Sequence, residues 1–465
     1  MPERIFHVIT PLQDFFSKVI NGSVLLFVAT FAAMVVANSP AADWYNGMLN
    51  YPIHFEIGHV SLFSHLGHDM TMLQFVNDAL MAIFFFMIGL EIKREVLIGE
   101  LSSFRKAALP VLAAIGGMVV PVLVYLLVCP SGPATAGAAI PMATDIAFAL
   151  GVLALFGKRV PLGMKVFLMA LAVVDDIGGI IVIAIFYSDF FELQPLLISA
   201  VLMAIIYIGG KMHIRKVLFY YVFGFFVWAM FLQSGLHPTI AGVLVGFMVP
   251  ALPVFDTHKF SDDMKKAIDS FPVNGGQRGK HAMVLNNQQI VLLKHMKYTV
   301  RKTISPLQLI ADNIEPFVSY VVLPLFAFVN AGVNFGEVST SELMGVPLAV
   351  MCGLLIGKTV GIFTFSYTFV KFGWVRMPTG MNKQLLFGVS VLGGIGFTVS
   401  LFISNLSFSS VSDIGMKLLN EAKLGVFMGS LVSGVIGYFL LRFLLPKKVD
   451  ALEPEAVYLS KEEDK

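Results

Sequence analysis

Twelve long apolar segments constrain this chain more than any other feature. They run at about 21–39, 73–92, 107–128, 134–156, 163–187, 193–211, 216–233, 235–251, 315–333, 346–370, 384–405 and 423–444. Most approach the roughly 20 residues that a helix needs to cross the hydrocarbon core of a bilayer. The eighth is short, and its start at Gly235 nearly abuts the seventh. In lipid every backbone N–H and C=O must be paired within the structure, so only helices and closed barrels span. Continuous apolar runs, rather than short alternating ones, select helices. Hydrophobic residues make up 57% and charged residues 13%, against about 25% charged in soluble domains. An ordinary soluble enzyme and a disordered chain are both excluded. The fold class expected is an all-α polytopic membrane protein with twelve transmembrane helices.

Lysine and arginine give the orientation. The loops 38–72, 129–133, 188–192 and 334–345 and the turn between spans 7 and 8 contain none, and loop 406–422 contains only Lys417. Nearly all the others fall in the two termini and the alternate loops. The positive-inside rule then puts both termini in the cytoplasm. Residues 1–20, with Arg4, Asp14 and Lys18 among apolar residues, read as a cytoplasmic interfacial helix rather than a cleavable signal. Spans 1–8 occupy 21–251, and 252–314 is a cytoplasmic loop insertion. Spans 9–12 occupy 315–444, and 445–465 is a cytoplasmic tail. The insertion holds Gly275, Gly276 and Gly279 between two charged amphipathic segments near 259–270 and 284–303. In the first outside loop, alternation around Ile57-Gly58 predicts a small β-hairpin within 45–65.

Four places well inside the spans carry charge, where each charge costs at least about 2.5–3.5 kcal/mol on insertion scales. Span 5 carries Asp175 and Asp176 in A-V-V-D-D-I-G-G-I, and span 4 carries Thr144 and Asp145 in P-M-A-T-D-I-A-F-A-L-G. Span 10 carries Lys358 in G-L-L-I-G-K-T-V-G, and span 2 carries Asn77 and Asp78. Asp78 alone is equally well a polar helix–helix contact. Three acids and a lysine near mid-span call for function. Adjacent carboxylates cannot both ionise cheaply in a low dielectric. A proton or a small hard cation relieves the repulsion, and carboxylate oxygen suits hard cations. A site that takes protons or a cation, but not both, is the minimal antiporter. Lys358 can neutralise a carboxylate when the cation is absent.

Helix breakers give a second clue. Pro141 lies four residues before Asp145, and Gly393, Gly394 and Gly396 interrupt span 11 before Thr398 and Ser400. Interrupted helices at corresponding places in two halves mark the binding site of transporters built on inverted repeats. If two such helices cross, Asp145 offsets their positive N-termini and Lys358 their negative C-termini. The stripe Gly353, Gly357, Gly361 reads as close backbone approach.

Other signals carry less. G-x-x-x-G-K-T over 353–359 is one residue short of a phosphate-binding loop and lies inside an apolar span, so no ATP site is expected. His54, His59, His65 and His68 read as exposed hairpin histidines rather than a metal site. His237, in S-G-L-H-P-T, either senses pH or hydrogen-bonds at the membrane edge. Cys129 and Cys352 are too few for a disulfide framework or a cysteine metal site. A net charge of +2 without a basic run gives no sign of nucleic acid. The motifs of intramembrane serine and aspartyl proteases are absent.

The stretches G-L-E-I-K-R-E, A-T-D-I-A-F-A-L-G-V-L, V-V-D-D-I-G-G-I, L-P-L-F-A-F-V-N-A-G-V and L-G-G-I-G-F-T-V-S-L-F-I, in this order, resemble the NhaA-type sodium/proton antiporters, and the resemblance runs from about 10 to 445 apart from the loop insertion. The resemblance implies a twelve-helix fold with inverted repeats, in which helices 4 and 11 are broken and cross. The inverted-repeat expectation is not independent of it. It implies that Asp175 and Asp176 form the cation and proton site, with Asp176 the core ligand and Asp175 paired with Lys358 in the empty state. Thr144 and Asp145 would line the crossing, and Asn77 and Asp78 match polar positions of helix 2. Glu91, Lys93, Arg94 and Glu95 match a cytoplasmic funnel tied to activation at alkaline pH; taken alone they are a solvated helix end with i,i+3 and i,i+4 ion pairs. The outside hairpin would join two protomers into a homodimer. One departure falls just before span 9. The family's better-known members place basic and histidine residues there, and this chain has Gln308, Asp312 and Glu315.

The leading expectation is an electrogenic, pH-regulated sodium(lithium)/proton antiporter of the bacterial inner membrane. It is a secondary transporter rather than an enzyme, with no cofactor beyond the transported sodium or lithium and protons. The alternative is a sodium-coupled symporter of a small organic anion on a related broken-helix scaffold.

Overall fold

A computed structural model of the chain describes residues 22–446 apart from 55, 58–59, 62–63, 66–67, 130, 188–191, 213, 254, 273–284, 286, 335–341 and 409–411. The interfacial helix expected over 1–20 and nearly all of the 445–465 tail lie outside the described residues.

Helix α1 (Gly22–Ala37) turns by 116° into the short α2 (Ala42–Leu49). Five strands follow: β1 (Pro52–Ile53), β2 (Glu56–Ile57), β3 (Val60–Ser61), β4 (Ser64–His65) and β5 (His68–Thr71). β2 pairs antiparallel with β3, β4 with β5, and β1 closes the ribbon against β5 through Pro52↔Thr71 and Ile53↔Met70. The pairing thus runs on past the 45–65 window to Thr71. There the Thr71 side chain and Gln74 form a reciprocal cap that starts the next helix. The remaining elements are α3 (Met72–Ile98), α4 (Phe104–Val128), a 3-10 segment Pro133–Met142 with α5 (Ile146–Ala154), α6 (Leu162–Phe186), α7 (Leu193–Lys211) and α8 (Val217–Ser234). After them come α9 (Pro238–Met248), α10 (Thr257–Asp269), α11 (Asn287–Thr303), α12 (Pro306–Asn330), α13 (Val346–Lys371), α14 (Lys383–Leu392), α15 (Phe397–Ser407) and α16 (Asp413–Leu444).

Among the described residues, eight helices are long and apolar enough to cross a membrane, or eleven if each bent pair is one span. The expected twelve therefore stands at eight to eleven, with α9 outside that count. Its 11 residues give about 16 Å, well short of the hydrocarbon thickness. Span 9 also begins earlier than expected, at Pro306 instead of 315. Ser305 caps it by accepting from Gln308 N at 3.2 Å, and Pro306 opens its first turn. Leu307, Ile310 and Ile314 bury one stripe of this added stretch, while Gln308 and Asp312 between them lower its hydropathy.

The chain divides into two compact units. One comprises residues through Met81, Glu95–Asp189 and Ser319 onward; the other comprises Ala82–Arg94 and Phe190–Val318. In the first unit the core joins Leu109 and Ala113 of α4, Leu168 and Leu171 of α6, Ile362 of α13, and Leu386 and Leu392 of α14. The glycine stripe of α13 does pack backbone to backbone. A Cβ on Gly361 would run into the Gly116 carbonyl, and one on Gly357 would lie 2.6 Å from Pro121 Cα. In the second unit, Gly242 and Gly246 of α9 likewise lie against Ala82 and Phe86 of α3. Lys93 donates to the Phe247 and Val249 carbonyls at 2.7 and 2.6 Å, closing the C-terminal end of α9. The two amphipathic segments of the insertion are α10, capped by Asp256, and α11.

Candidate functional site

Two broken helices meet at their breaks. Span 4 is a 3-10 segment up to Met142 and resumes as α5 after an extended stretch, bent by 42°; span 11 bends by 47° between α14 and α15. Proline at 141 and glycines at 393, 394 and 396 explain the interruptions. The breaks touch directly, with Asp145 N donating to the Ile395 carbonyl at 2.6 Å.

Opposed helix ends leave orphan N–H and C=O groups in a buried place, and nearby side chains satisfy them. Asp145 Oδ1 accepts from Phe148 N at 3.1 Å, capping α5. Its Oδ2 accepts from Thr398 N at 3.0 Å and from the Thr398 hydroxyl at 2.5 Å, capping α15. Ser430 of α16 adds acceptance from Gly396 N and Phe397 N at 3.3 and 3.2 Å. One carboxylate therefore faces two positive helix ends. On the C-terminal side the contacts run through Thr144. The Gly393 carbonyl lies 3.1 Å from the Thr144 hydroxyl, and Lys358 contacts Thr144 and Asp175.

The charged centre lies beside this crossing. Asp175, Asp176, Asp145, Thr144 and Lys358 are each at most 5% exposed. Lys358 Nζ forms an ion pair with Asp175 Oδ2 and donates to Thr144 Oγ1 at 2.7 Å. The Thr144 hydroxyl lies 2.7 Å from the same Asp175 oxygen. It has one proton, so it donates either to Asp175 or to Gly393. Asp175 Oδ1 has no hydrogen-bond partner among the described residues. Gly117 of α4 packs nearby against Ile362, where a Cβ would lie 2.9 Å from the Ile362 side chain and in ordinary contact, at 3.8 Å, with that oxygen. Asp176 follows on α6, about 100° further round the helix, and is likewise buried. Lys358 itself follows a π-helical turn, Gly353–Gly357, a local widening often found at functional sites.

The other expected residues are more dispersed. Asn77 and Asp78 lie on a second π-helical turn, Val76–Leu80, where Asn77 accepts from Asn330 at 2.8 Å. Glu91 is half-buried and Arg94 exposed, on the part of α3 that runs up to Lys93 and the C-terminal end of α9. His237 is at the opposite end of α9, about 16 Å away along the helix, where its Nδ1 lies 2.8 Å from Thr239 Oγ1. The structure thus does not gather His237 with Glu91 and Arg94. Glu95 accepts from Glu100 N at 3.0 Å and holds the turn after α3. Residue reading missed Thr398 and Ser430 as caps, Gly117 as a close-packing position against Ile362, and the asparagines Asn330 and Asn405. Asn330 and Thr398 stand inside the motifs that carried the resemblance; Ser430, Gly117 and Asn405 gave no signal of their own. In the ribbon, His54 pairs with Asp69 at 3.0 Å.

Residues 13–441 match the profile of the Na+/H+ antiporter 1 family. A protein of Parabacteroides distasonis named Na(+)/H(+) antiporter NhaA is 57% identical over 96% of this chain and 99% of its own length. Proteins of the same name from Bacteroides fragilis and Porphyromonas gingivalis are 53% and 48% identical, each over 95% of this chain and 99% and 98% of their own lengths. Together with the apolar helices, these matches make the chain a multi-pass integral membrane protein of a transporter family.

Proposed function

Because this chain belongs to the Na+/H+ antiporter 1 family, we propose that it exchanges sodium or lithium for protons across the bacterial inner membrane, through Asp175 and Asp176. The observation that carries this reading is the half-used Asp175 carboxylate. One oxygen is held by Lys358 and Thr144, and the other has no hydrogen-bond partner among the described residues, where two helix breaks meet. Carboxylate, hydroxyl and backbone carbonyl oxygens are hard donors that suit a small monovalent cation.

In the cation-free state Lys358 balances Asp175. A cation arriving at the carboxylates takes over that balance, and protons leave. Protons arriving from the other side expel the cation. Since one site serves both, their binding is mutually exclusive, and alternating access couples the two fluxes. Asp145 keeps the helix ends neutralised throughout, so the site's charge changes only at the pair and at Lys358. More than one proton per cation makes each cycle move net charge, and the membrane potential then drives it.

The proposal extends to twelve spans in inverted repeats with both termini cytoplasmic, on the lysine and arginine pattern. It also extends to a homodimer joined through the ribbon, and to pH regulation at Glu91, Arg94 and Glu95.

The test is proton flux from purified protein in liposomes under an imposed pH gradient, with sodium, lithium or potassium added in turn. Cation-triggered dequenching of an internal acid-sensitive dye, lost in Asp176→Asn, is expected. Normal exchange by that variant would overturn the assignment.

A further inference from the structure

Asp175 and Asp176 are buried to 1% and 5% exposure, so water on either side reaches them only if the helices that carry the site shift against neighbours that do not. The second half of the broken span 11, α15, is fixed at both ends. At its start, Thr398 is bound by Asp145. Seven residues on, about 10 Å along the helix, Asn405 Nδ2 donates to Asn330 Oδ1 at 2.8 Å, and Asn330 Nδ2 donates to Asn77 Oδ1 at 2.8 Å. The second N–H of each amide is also spent, on the Leu401 and Phe326 carbonyls at 2.9 Å. Asn405 thus needs an acceptor, and Asn330 has only its oxygen to offer, which fixes the direction of the chain. Asn330 is fully buried. Neither Asn330 nor Asn77 hydrogen-bonds Asp175 or Lys358 among the described residues. The corresponding half-helix of span 4, α5, has one such tie too, from the Ser23 hydroxyl to the Ala147 carbonyl at 3.0 Å.

We propose that the Asn405–Asn330 hydrogen bond is a seam between site-bearing and surrounding helices. It holds α15 in register while Asp175 is paired with Lys358, and it parts and re-forms once in each transport cycle. This rests on the antiport reading above, because only a site with alternating access needs such a seam. Amides serve the purpose well. They are uncharged, so the seam opens without stranding a charge in the membrane, and their directional bonds restore one register on closing.

The experiment uses the full chain carrying Cys129→Ser and Cys352→Ser, reconstituted in liposomes. Asn330→Cys with Asn405→Cys is bridged by a short, reducible bis-methanethiosulfonate reagent. Sodium/proton exchange is followed before bridging, after it, and after reduction. Ser407→Cys with Tyr187→Cys is the control bridge. Those two side chains touch at 2.9 Å and join the same end of α15 to the residue following α6, which carries the carboxylate pair. A seam predicts at least a tenfold loss on bridging 330 to 405, recovery on reduction, and little change from the control bridge. Undiminished exchange with the 330–405 bridge, or equal inhibition by both bridges, would overturn the seam. Exchange by the unbridged protein tests the antiport reading separately. If the double variant exchanges too slowly to follow, maleimide labelling of Asn330→Cys alone replaces it. Labelling several-fold different between saturating sodium and sodium-free acid buffer is expected, and equal rates would overturn the proposal.

Discussion

Asp145 and Thr398, 253 positions apart in the chain, make one contact that closes two helices. The Asp145 carboxylate takes the Thr398 amide at 3.0 Å and its hydroxyl at 2.5 Å on one oxygen, and the Phe148 amide at 3.1 Å on the other. Its charge stands between two helix N-termini, so its removal leaves orphan donors at both.

Asp145→Ala is therefore expected to lower stability by about 2–4 kcal/mol, since each cap contributes roughly 0.5–2 kcal/mol and the vacated donors stay buried. Asp145→Asn keeps an oxygen acceptor and loses only the charge, so it melts closer to the parent protein while exchanging slowly. Melting of the two variants in detergent checks this, and equal melting points would show that the caps contribute little.

Lys358→Met leaves the Asp175 carboxylate buried beside Thr144 alone. Breaking a buried ion pair from one side costs about 3–5 kcal/mol. Asp175→Asn combined with Lys358→Met removes both charges and should regain much of that loss without regaining exchange. A double-mutant cycle on thermal stability, read beside transport, separates the two. Additive losses would mean that the pair is not coupled.

Thr144 is expected to set affinity. Thr144→Ser keeps the hydroxyl and should exchange nearly normally. Thr144→Val removes a hydrogen bond to a charged group, about 1.5–3 kcal/mol, and should raise the sodium concentration for half-maximal exchange by about tenfold or more. If valine and serine behave alike, the hydroxyl has no part in the site.

Sodium and protons should compete without a separate sensor. With one shared pair of carboxylates, the sodium requirement grows as pH falls and the carboxylates take up protons. Half-maximal sodium concentrations measured from about pH 6 to 9 report this. A value constant across the carboxylates' titration range would contradict a common site.

The glycine stripe can be tested without touching the chemistry. Gly361→Ala drives a methyl group into the Gly116 backbone, and overpacking of this kind costs about 1–3 kcal/mol. Gly47→Ala in α2 meets nothing within 4 Å and should be neutral or stabilising by up to about 1 kcal/mol. Thermal melting of the two variants gives the comparison.

The sequence by itself determined that this chain lives in a membrane, which segments are apolar enough to cross it, and that Asp175, Asp176 and Lys358 stand inside those segments, where a charge is costly. Composition and hydropathy decide those points because lipid punishes every unpaired polar group, whatever its neighbours. Pro141 and the glycines at 393–396 also announced the two breaks, since helix interruption is a local property of the backbone. The tertiary structure decided the partners. Lys358 of α13 lies on Asp175 of α6 and on Thr144 at the break of span 4, because only packing brings three spans distant in sequence together. The 306–314 stretch, polar enough to read as loop, is helix because Ser305 caps it and its apolar stripe is buried. Asn77, Asn330 and Asn405 look like three unrelated polar residues in three spans. They become one chain of hydrogen bonds only when the helices pack, because a buried amide's meaning is set by what lies within 3 Å of it.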